Sequence, residues 1–436
     1  MDDTFLISFS GGDRPGLTSS LAEILSEHGA HLLDVGQAVV HQTLALGMLL
    51  RVPSSTTPER LERDLRQRAE TLGLRMGFAA ITPEAFLLWA AAQTKDRFVL
   101  TLLGREITAR QLARVSAVAA QNGLNIDRIE RLSGRLSLAT PTEDSYACLE
   151  LHLSSGGPGA APIAHPIAAP NAVPDAIPDA MRAALMSLTH ELTLDLAFQR
   201  ECVFRRNRRL FAFDMDSTLI DGEVIDELAN LAGVGEQVSR ITAAAMRGEL
   251  DFQQSFRARV ALLRGLPQER VNAVLNSIPL IKGAERLIST LKRLGYKTAI
   301  LSGGFNFFAQ ALQTRLGIDH VFANDLDIAD GVVTGKVIGP IVDAQRKAEL
   351  LREIAARENI SLDQVVAVGD GANDLPMLNI AGMGIAFHAK PLVREQAGHA
   401  LSYLGLDSLL YLIGIRDRDL TGLARSTDPP EATLCG

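Results

Sequence analysis

Several residue types that build special chemistry on their own are scarce in this chain. Only three of its 436 residues are cysteine, and Cys148, Cys202 and Cys435 stand far apart with no metal-ligand spacing. A thiolate metal centre is therefore not expected, and free cysteines suit the reducing cytoplasm. Positive charge is short as well: 43 lysines and arginines face 51 acids, a net of −8. That balance argues against nucleic acid as an obligate partner. Aromatics make up 5% of the residues while hydrophobic residues reach 47%, so a large aliphatic core can form and general disorder is not expected. The apolar run FLLWAAAQ around Trp89 is too short to span a bilayer. Met1 leads into DDTFLISF without a basic segment or a long apolar core, so no signal peptide is expected. The expectation is a soluble cytoplasmic protein with no membrane partner, long enough for about three domains.

What is present centres on FAFDMDSTLI, Phe211 to Ile220. Apolar residues from Leu210 to Phe213 run straight into Asp214 and Asp216, the pattern of a buried parallel strand that delivers acids at its carboxyl end. Ligands of open α/β sheets bind at that end. Two acids at i and i+2 repel unless a cation or a shared proton relieves them. One can then attack as a nucleophile beside a metal while the other carries protons. A bare DxD also suits a polar turn, so the rest of the chain has to decide.

In the amino-terminal half, a strand at Phe5–Ser10 is followed by turn residues Gly11, Gly12, Pro15 and Gly16 and by helical spacing of Leu17, Leu21, Ile24 and Leu25. HLLDVGQAVV and LGMLLRV read as strands, Pro58–Leu72 as a charged amphipathic helix and LRMGFAAIT as a last strand. The order β-α-β-β-α-β predicts a ferredoxin-like unit. A second copy starts at Phe98 and closes with MRAALMSLTHEL and LDLAFQREC, interrupted by the Gly/Ala/Pro-rich stretch 156–178, read as a flexible insertion. RRNRR, Arg205 to Arg209, reads as a solvated linker in preference to an anion patch.

Beyond the central stretch, Glu223 to about Ile278 reads as four helices, a cap placed to close over the strand end. Glu223 opens the cap and Arg259 lies on its third helix, where together they suit the ammonium and carboxylate of a zwitterion. Each taken alone also suits the surface. The strand KTAIL ends in Ser302-Gly303-Gly304, an anion cradle or an ordinary βα loop. LDIADGVVTGKVIG reads as a hairpin, and Lys347 comes next on a helix, either solvated or beside a phosphoryl group. VVAVGDGANDLPML then carries a second buried strand into Asp370, with Asn373 and Asp374 in the next loop, which offers a hard cation another oxygen ligand.

DMDSTLI, SGG, a lysine and GDGAND, in this order, are similar to the motif series of the haloacid dehalogenase superfamily of aspartyl-phosphate phosphotransferases. DMDSTLIDGE and LSGGF, with DFQQSFRARV in the cap, resemble the phosphoserine phosphatases of that superfamily over most of Arg208–Ala424. The amino-terminal unit, with its DRPGL loop, resembles an ACT domain, and the second copy does so more loosely because it lacks that loop. The resemblance implies an α/β architecture: a Rossmann-like domain (205–424) with a helical cap (about 223–280), two ferredoxin-like ACT domains (1–88 and 96–203), and a disordered tail (425–436). It implies hydrolysis of O-phospho-L-serine, with Asp214 as nucleophile and Asp216 as general acid and base. Mg2+ would be held by Asp214, the Asp216 main-chain carbonyl and Asp370, with Asp374 behind them. Ser302, Gly303, Lys347 and Asn373 would hold phosphate, and Glu223 and Arg259 the amino-acid part, with Phe252 packing over it. Backbone at Gly12, Gly16 and Gly104 would approach an amino-acid effector such as L-serine, although turn formation explains the same glycines. A homodimer is expected. Phosphoryl transfer to homoserine or hydrolysis of another small phosphomonoester, such as homoserine phosphate, and a catalytically inactive amino-acid sensor are the rival expectations.

Overall fold

The structure is a computed structural model that describes residues 3–92, 96–134, 146–155, 179–275 and 277–425. The expected insertion 156–178 and the tail from 426 onward lie outside them, whereas Arg425 closes the helix Asp417–Arg425. The chain divides into two compact units, Met1–Lys95 and Asp96–Gly436. No helix among the described residues is long and apolar enough to cross a membrane.

The first unit runs β1 (Asp3–Gly12), helix Leu17–Glu27, β2 (His31–Val40), β3 (Thr43–Val52), helix Pro58–Thr71 and β4 (Leu74–Ile81). Its antiparallel sheet has the order β2-β3-β1-β4. Strand alternation turns Phe5, Ile7 and Phe9 inward onto Leu21, Leu61 and Leu65 of the two helices, while Leu6 faces out. β1 continues through Gly11 and Gly12, expected as turn, because they pair with Leu44 and Thr43. The run FLLWAAA lies in a further helix, Pro83–Ala92.

The second unit opens with β5 (Arg97–Gly104), helix Ala109–Gln121, β6 (Leu124–Arg131), β7 (Ala147–Ser155), helix Asp179–Leu192 and β8 (Asp195–Arg200). Its sheet order, β6-β7-β5-β8, repeats the connectivity of the first. The larger sheet of this unit contains β9 (Leu210–Phe213), β10 (Lys297–Phe305), β11 (His320–Ala329), β12 (Val332–Ile338), β13 (Val365–Gly369), β14 (Met383–Phe387) and β15 (His399–Leu401). Their order is β12-β11-β10-β9-β13-β14-β15, parallel except for β12. The chain winds from β9 outward through β10 and β11, then returns to the other side of β9 with β13. The crevice between β9 and β13 is thus the switch point at which α/β sheets bind ligands. β9 is wholly buried, as its unbroken LFAF demands. Asp330 and Gly331, at φ 51° and 79°, make the tight turn between β11 and β12.

The smaller sheet docks on this larger one. Asp195 of β8 accepts from the Ser402 and Tyr403 amides at 2.6 and 3.1 Å, and Gln199 Nε2 donates to the Leu412 carbonyl at 3.0 Å. The expectation of a solvated RRNRR linker is corrected here. Arg205 is buried in an ion pair with Glu150, and Arg208 is buried and donates to the Asp363 carbonyl. A buried guanidinium needs such partners, and this docked interface supplies them.

Candidate active site

β9 and β13 are paired neighbours, with Phe213 opposite Val368, so their next residues deliver acids side by side. Asp214 N donates to the Val368 carbonyl at 2.9 Å, which fixes where the strand ends. Asp214, Asp370 and Asp374 each offer a carboxylate oxygen, all within 4.8 Å of one another. Lys347, completely buried on the helix Ala344–Arg357, places Nζ 2.8 Å from Asp214 Oδ1 and 2.7 Å from Asp374 Oδ1. Asp374 Oδ2 also accepts from the Gly371 amide at 3.0 Å, so Asp374 is largely committed within the protein.

Burial, then the Asp374 charge, pushes Asp214 well above the usual carboxylate range, with Lys347 opposing. Asp370 is pushed up to about 7 by burial and by Asp374 and Glu223. Burial works against the Lys347 charge, but Asp214 and Asp374 outweigh it and hold its pKa above the ordinary lysine value. One ammonium does not neutralise three carboxylates. Facing only that ammonium, Asp214 Oδ1 is buried without a well-directed hydrogen-bond donor. This all-oxygen, negatively charged cluster fits a hard divalent cation.

Asp216 stands at the turn out of the sheet. Its Oδ1 accepts from the Val224 amide at 2.9 Å and its Oδ2 lies 3.4 Å from Ser302 Oγ. Burial and the Glu223 charge raise it to about 7, so it can hold or release a proton near neutrality. The turn is tight: Ser217 takes φ 55°, in the left-handed region unusual for a non-glycine residue. Its Oγ donates to Glu223 Oε1 at 3.3 Å, and Thr218 Oγ1 lies 3.5 Å from Asp370 Oδ1.

The Ser302-Gly303-Gly304 segment closes the other side. Ser302 Oγ accepts from the Gly304 amide at 2.8 Å. A Cβ on Gly304 would stand 2.4 Å from Asp216 Oδ2 and 2.8 Å from Met215 Cε, so any side chain there would have to push the acid aside. Asn324, buried in β11 and carried by no motif, donates to the Gly303 carbonyl and accepts from the Val342 amide, both at 2.8 Å. It ties this segment to the chain leading into the Lys347 helix.

Above the acids lies a cavity of about 620 Å³. Asp214, Asp216, Glu223, Arg259, Gly303, Asp370 and Asn373 line it, while the fully buried Ser302, Lys347 and Asp374 lie behind that lining. The roof is the cap helix Phe252–Leu262, where Phe252 stacks on Phe256 at 6.0 Å and the Arg259 guanidinium lies 6.0 Å from the Phe256 ring. Arg259 Nε is buried with no hydrogen-bond partner among the described residues. Glu223 is the residue before the cap helix Val224–Ala232; desolvation of its carboxylate in the cavity, then the Asp226 charge, raise its pKa, with Ser217 and Arg259 opposing. Gln253 of the cap donates to Asp343 Oδ2 at 2.7 Å, directly before the Lys347 helix. Lys390 lines the same cavity and escapes sequence reasoning, because its position after β14 belongs to none of the motifs.

The three glycines expected to approach an effector differ. Gly12 and Gly16, in the first unit, have open space where a Cβ would be, and Gly16 takes φ 91° before the helix Leu17–Glu27. Gly104 is buried, with Leu194 Cδ1 2.6 Å from its Cβ position, and offers a ligand no open backbone.

Comparison with known proteins agrees with this geometry. Residues 208–382 match the haloacid dehalogenase-like hydrolase family and residues 3–79 match the ACT domain. The chain is 41% identical over 420 residues to a phosphoserine phosphatase of Streptomyces coelicolor, covering 94% of this chain and 92% of that protein. It is 39% identical to a phosphoserine phosphatase of Mycobacterium tuberculosis, covering 94% and 93%. Among solved structures, a haloacid dehalogenase family hydrolase from Salmonella enterica superposes with a TM-score of 0.58 at 33% identity, covering 73% of this chain and 99% of that one. The chain therefore belongs to the phosphoserine phosphatases of the haloacid dehalogenase-like hydrolases, and carries an ACT domain at its amino-terminal end.

Proposed function

We propose that this protein hydrolyses O-phospho-L-serine to L-serine and phosphate, the last step of serine synthesis, through an aspartyl-phosphate on Asp214. The observation that carries the reading is one cavity holding strand-end acids at its base and Glu223 and Arg259 at its cap side. The Asp214 carboxylate attacks phosphorus, and the bond from phosphorus to the serine oxygen breaks. Asp216 gives its proton to that oxygen, then takes one from the water that attacks the aspartyl-phosphate, releasing phosphate and restoring Asp214. A carboxyl poised at about 7 suits both proton transfers.

Asp214, the Asp216 main-chain carbonyl and Asp370 would hold Mg2+, which supplies charge neutralisation for the phosphoryl oxygens. Ser302, the Gly303 N–H and Asn373 take phosphate oxygens, Lys347 provides the fixed positive charge, and Asp374 holds Lys347 in place. Glu223 pairs with the substrate ammonium and Arg259 with its carboxylate, beneath Phe252. The open backbone at Gly12 and Gly16 supports L-serine as an effector at the amino-terminal module. The exposed Leu32, Val35, Val39 and Val40 on edge strand β2 support a homodimer. The free cysteines suit a cytoplasmic location for it.

The test is phosphate release from phospho-L-serine, phospho-L-threonine, phosphohomoserine and a sugar phosphate, with Mg2+ or EDTA and with or without added L-serine. Preference for phospho-L-serine that Glu223→Gln and Arg259→Met each abolish is the expected result. A flat profile sinks the substrate assignment and leaves a phosphatase for another small phosphomonoester. Sigmoidal loss of rate with serine supports the effector role, whereas simple competition assigns serine to the catalytic cavity.

A further inference from the structure

Ser302, Gly303 and Gly304 do not follow the regular ladder of the larger sheet. Leu301 pairs with Phe322 and Phe305 with Asn324, so β10 takes four steps where β11 takes two. The extra residues bulge out, and a bulge leaves backbone groups without ladder partners. Asn324 supplies one of those partners. Its Nδ2 donates to the Gly303 carbonyl and its Oδ1 accepts from the Val342 amide, both at 2.8 Å. One end of a side-chain amide only donates and the other only accepts, so these two partners fix its orientation. At 1% exposure the side chain is shut off from water, and neither bond has a substitute.

The two bonds reach different sides of the catalytic cavity. The Gly303 carbonyl belongs to the same planar peptide as the Gly304 N–H, which donates to Ser302 Oγ at 2.8 Å. Holding the carbonyl sets the plane, and the plane aims the N–H that holds the Ser302 hydroxyl. That hydroxyl keeps its own proton for Asp216 Oδ2, 3.4 Å away, or for a phosphate oxygen. On the other side, Val342 directly precedes Asp343, which caps the helix Ala344–Arg357 by accepting from the Arg346 amide at 3.0 Å. Lys347 lies in the first turn of that helix, its own amide bonded to the Asp343 carbonyl at 2.9 Å. A single buried amide thus spans the gap between the serine side of the cavity and the lysine side.

We propose that Asn324 is a positioning residue for phosphate, which fixes the Ser302 and Gly303 donors at a set distance and angle from Lys347. This rests on Ser302, Gly303 and Lys347 being the groups that take phosphate. Asn324 itself is not among the residues that line the cavity. Glu223 and Arg259, which grip the amino-acid part, are carried by the cap helix Phe252–Leu262 and by the entry to the helix Val224–Ala232. Asn324 therefore governs phosphate affinity and turnover and leaves serine affinity alone.

The test measures competitive inhibition by orthophosphate and by L-serine in the full-length protein, with Mg2+ present and p-nitrophenyl phosphate as substrate. An inhibition constant does not depend on how much of a preparation is folded, so a destabilised variant still reports on its site. Asn324→Asp keeps the acceptor for the Val342 amide but sets a carboxylate oxygen against the Gly303 carbonyl. Asn324→Ala loses both bonds and adds no charge, which separates lost positioning from simple repulsion of phosphate. Both should raise the phosphate constant by about ten-fold and lower kcat by about ten-fold or more, with the serine constant within about two-fold of wild type. A phosphate constant unchanged in Asn324→Ala overturns the role of Asn324, whatever Asn324→Asp does. So does an equal rise in both constants, which marks a general loosening of the fold. A wild type that phosphate does not inhibit overturns the assignment of the phosphate groups, and the role of Asn324 with it. A wild type inhibited by phosphate and not by serine removes only the serine assignment, and the phosphate constants then decide alone.

Discussion

Lys347 Nζ stands 2.8 Å from Asp214 Oδ1 with no part of the lysine exposed to solvent, so the base of the catalytic cavity is a buried ion pair. Asp374 completes it at 2.7 Å, a second carboxylate that holds the same ammonium. Removing the lysine leaves two buried carboxylates without their cation. Lys347→Met should therefore lose about 3–5 kcal/mol of stability and reduce phosphate release by at least about 100-fold. Urea unfolding and a phosphate assay check the two effects separately. A variant as stable as the wild type would mean that the pair is not structural.

Divalent metal should stabilise the folded chain, because Asp214, Asp370 and Asp374 come within 4.8 Å of one another only when β9 and β13 are paired. With Mg2+ at about 100 times its dissociation constant, the gain is about 2.7 kcal/mol. EDTA should lower the unfolding midpoint accordingly, and Asp370→Asn should show little response to either addition. Equal responses from wild type and Asp370→Asn would place the metal elsewhere.

The strand-end acids are legible in the sequence because unbroken apolar runs lead into Asp214 and Asp370, and a parallel sheet must expose the residues just past such runs at one edge. The hairpin around Asp330-Gly331 is legible for a similar reason, since two positive φ values select that dipeptide. Asn324 is not legible. Its work is done across the sheet, on the Gly303 carbonyl, and a lone asparagine between Ala323 and Asp325 in β11 carries no spacing that reports it. The RRNRR run misleads because burial of Arg205 depends on Glu150, 55 residues earlier in the strand Ala147–Ser155. Helix Pro83–Ala92 has no polar face, so its sequence shows no period.

The docked module should give the protein a recognisable pH response. Asp195 is completely buried, and burial pushes its carboxyl up to about 6 despite the Ser402 and Tyr403 amides that favour its charge. Its folded pKa thus exceeds its unfolded value, so its contribution is full below about pH 4 and is lost as pH rises through 6. That loss is on the order of 3 kcal/mol. Asp195→Asn removes the titration and should flatten the fall in stability between pH 4 and 7, measured by urea unfolding at intervals across that range. Parallel pH curves for the two proteins would exclude Asp195 as the source.

Gly304 offers the sharpest separation of catalysis from folding. A methyl group there would meet Asp216 Oδ2 at 2.4 Å and Met215 Cε at 2.8 Å. Met215 can yield by changing rotamer, but Asp216 is held on its other oxygen by the Val224 amide at 2.9 Å. The carboxylate must therefore swing away from the position in which the proposed mechanism has it transfer a proton. Gly304→Ala should keep kcat about 100-fold below wild type, the scale of a lost general acid and base, while KM changes little because Glu223 and Arg259 are untouched. The fold should survive, since the strain falls on one side chain beside an open cavity. If kcat is unchanged, Asp216 tolerates displacement and is not the proton carrier; if KM alone rises, Gly304 serves substrate binding instead.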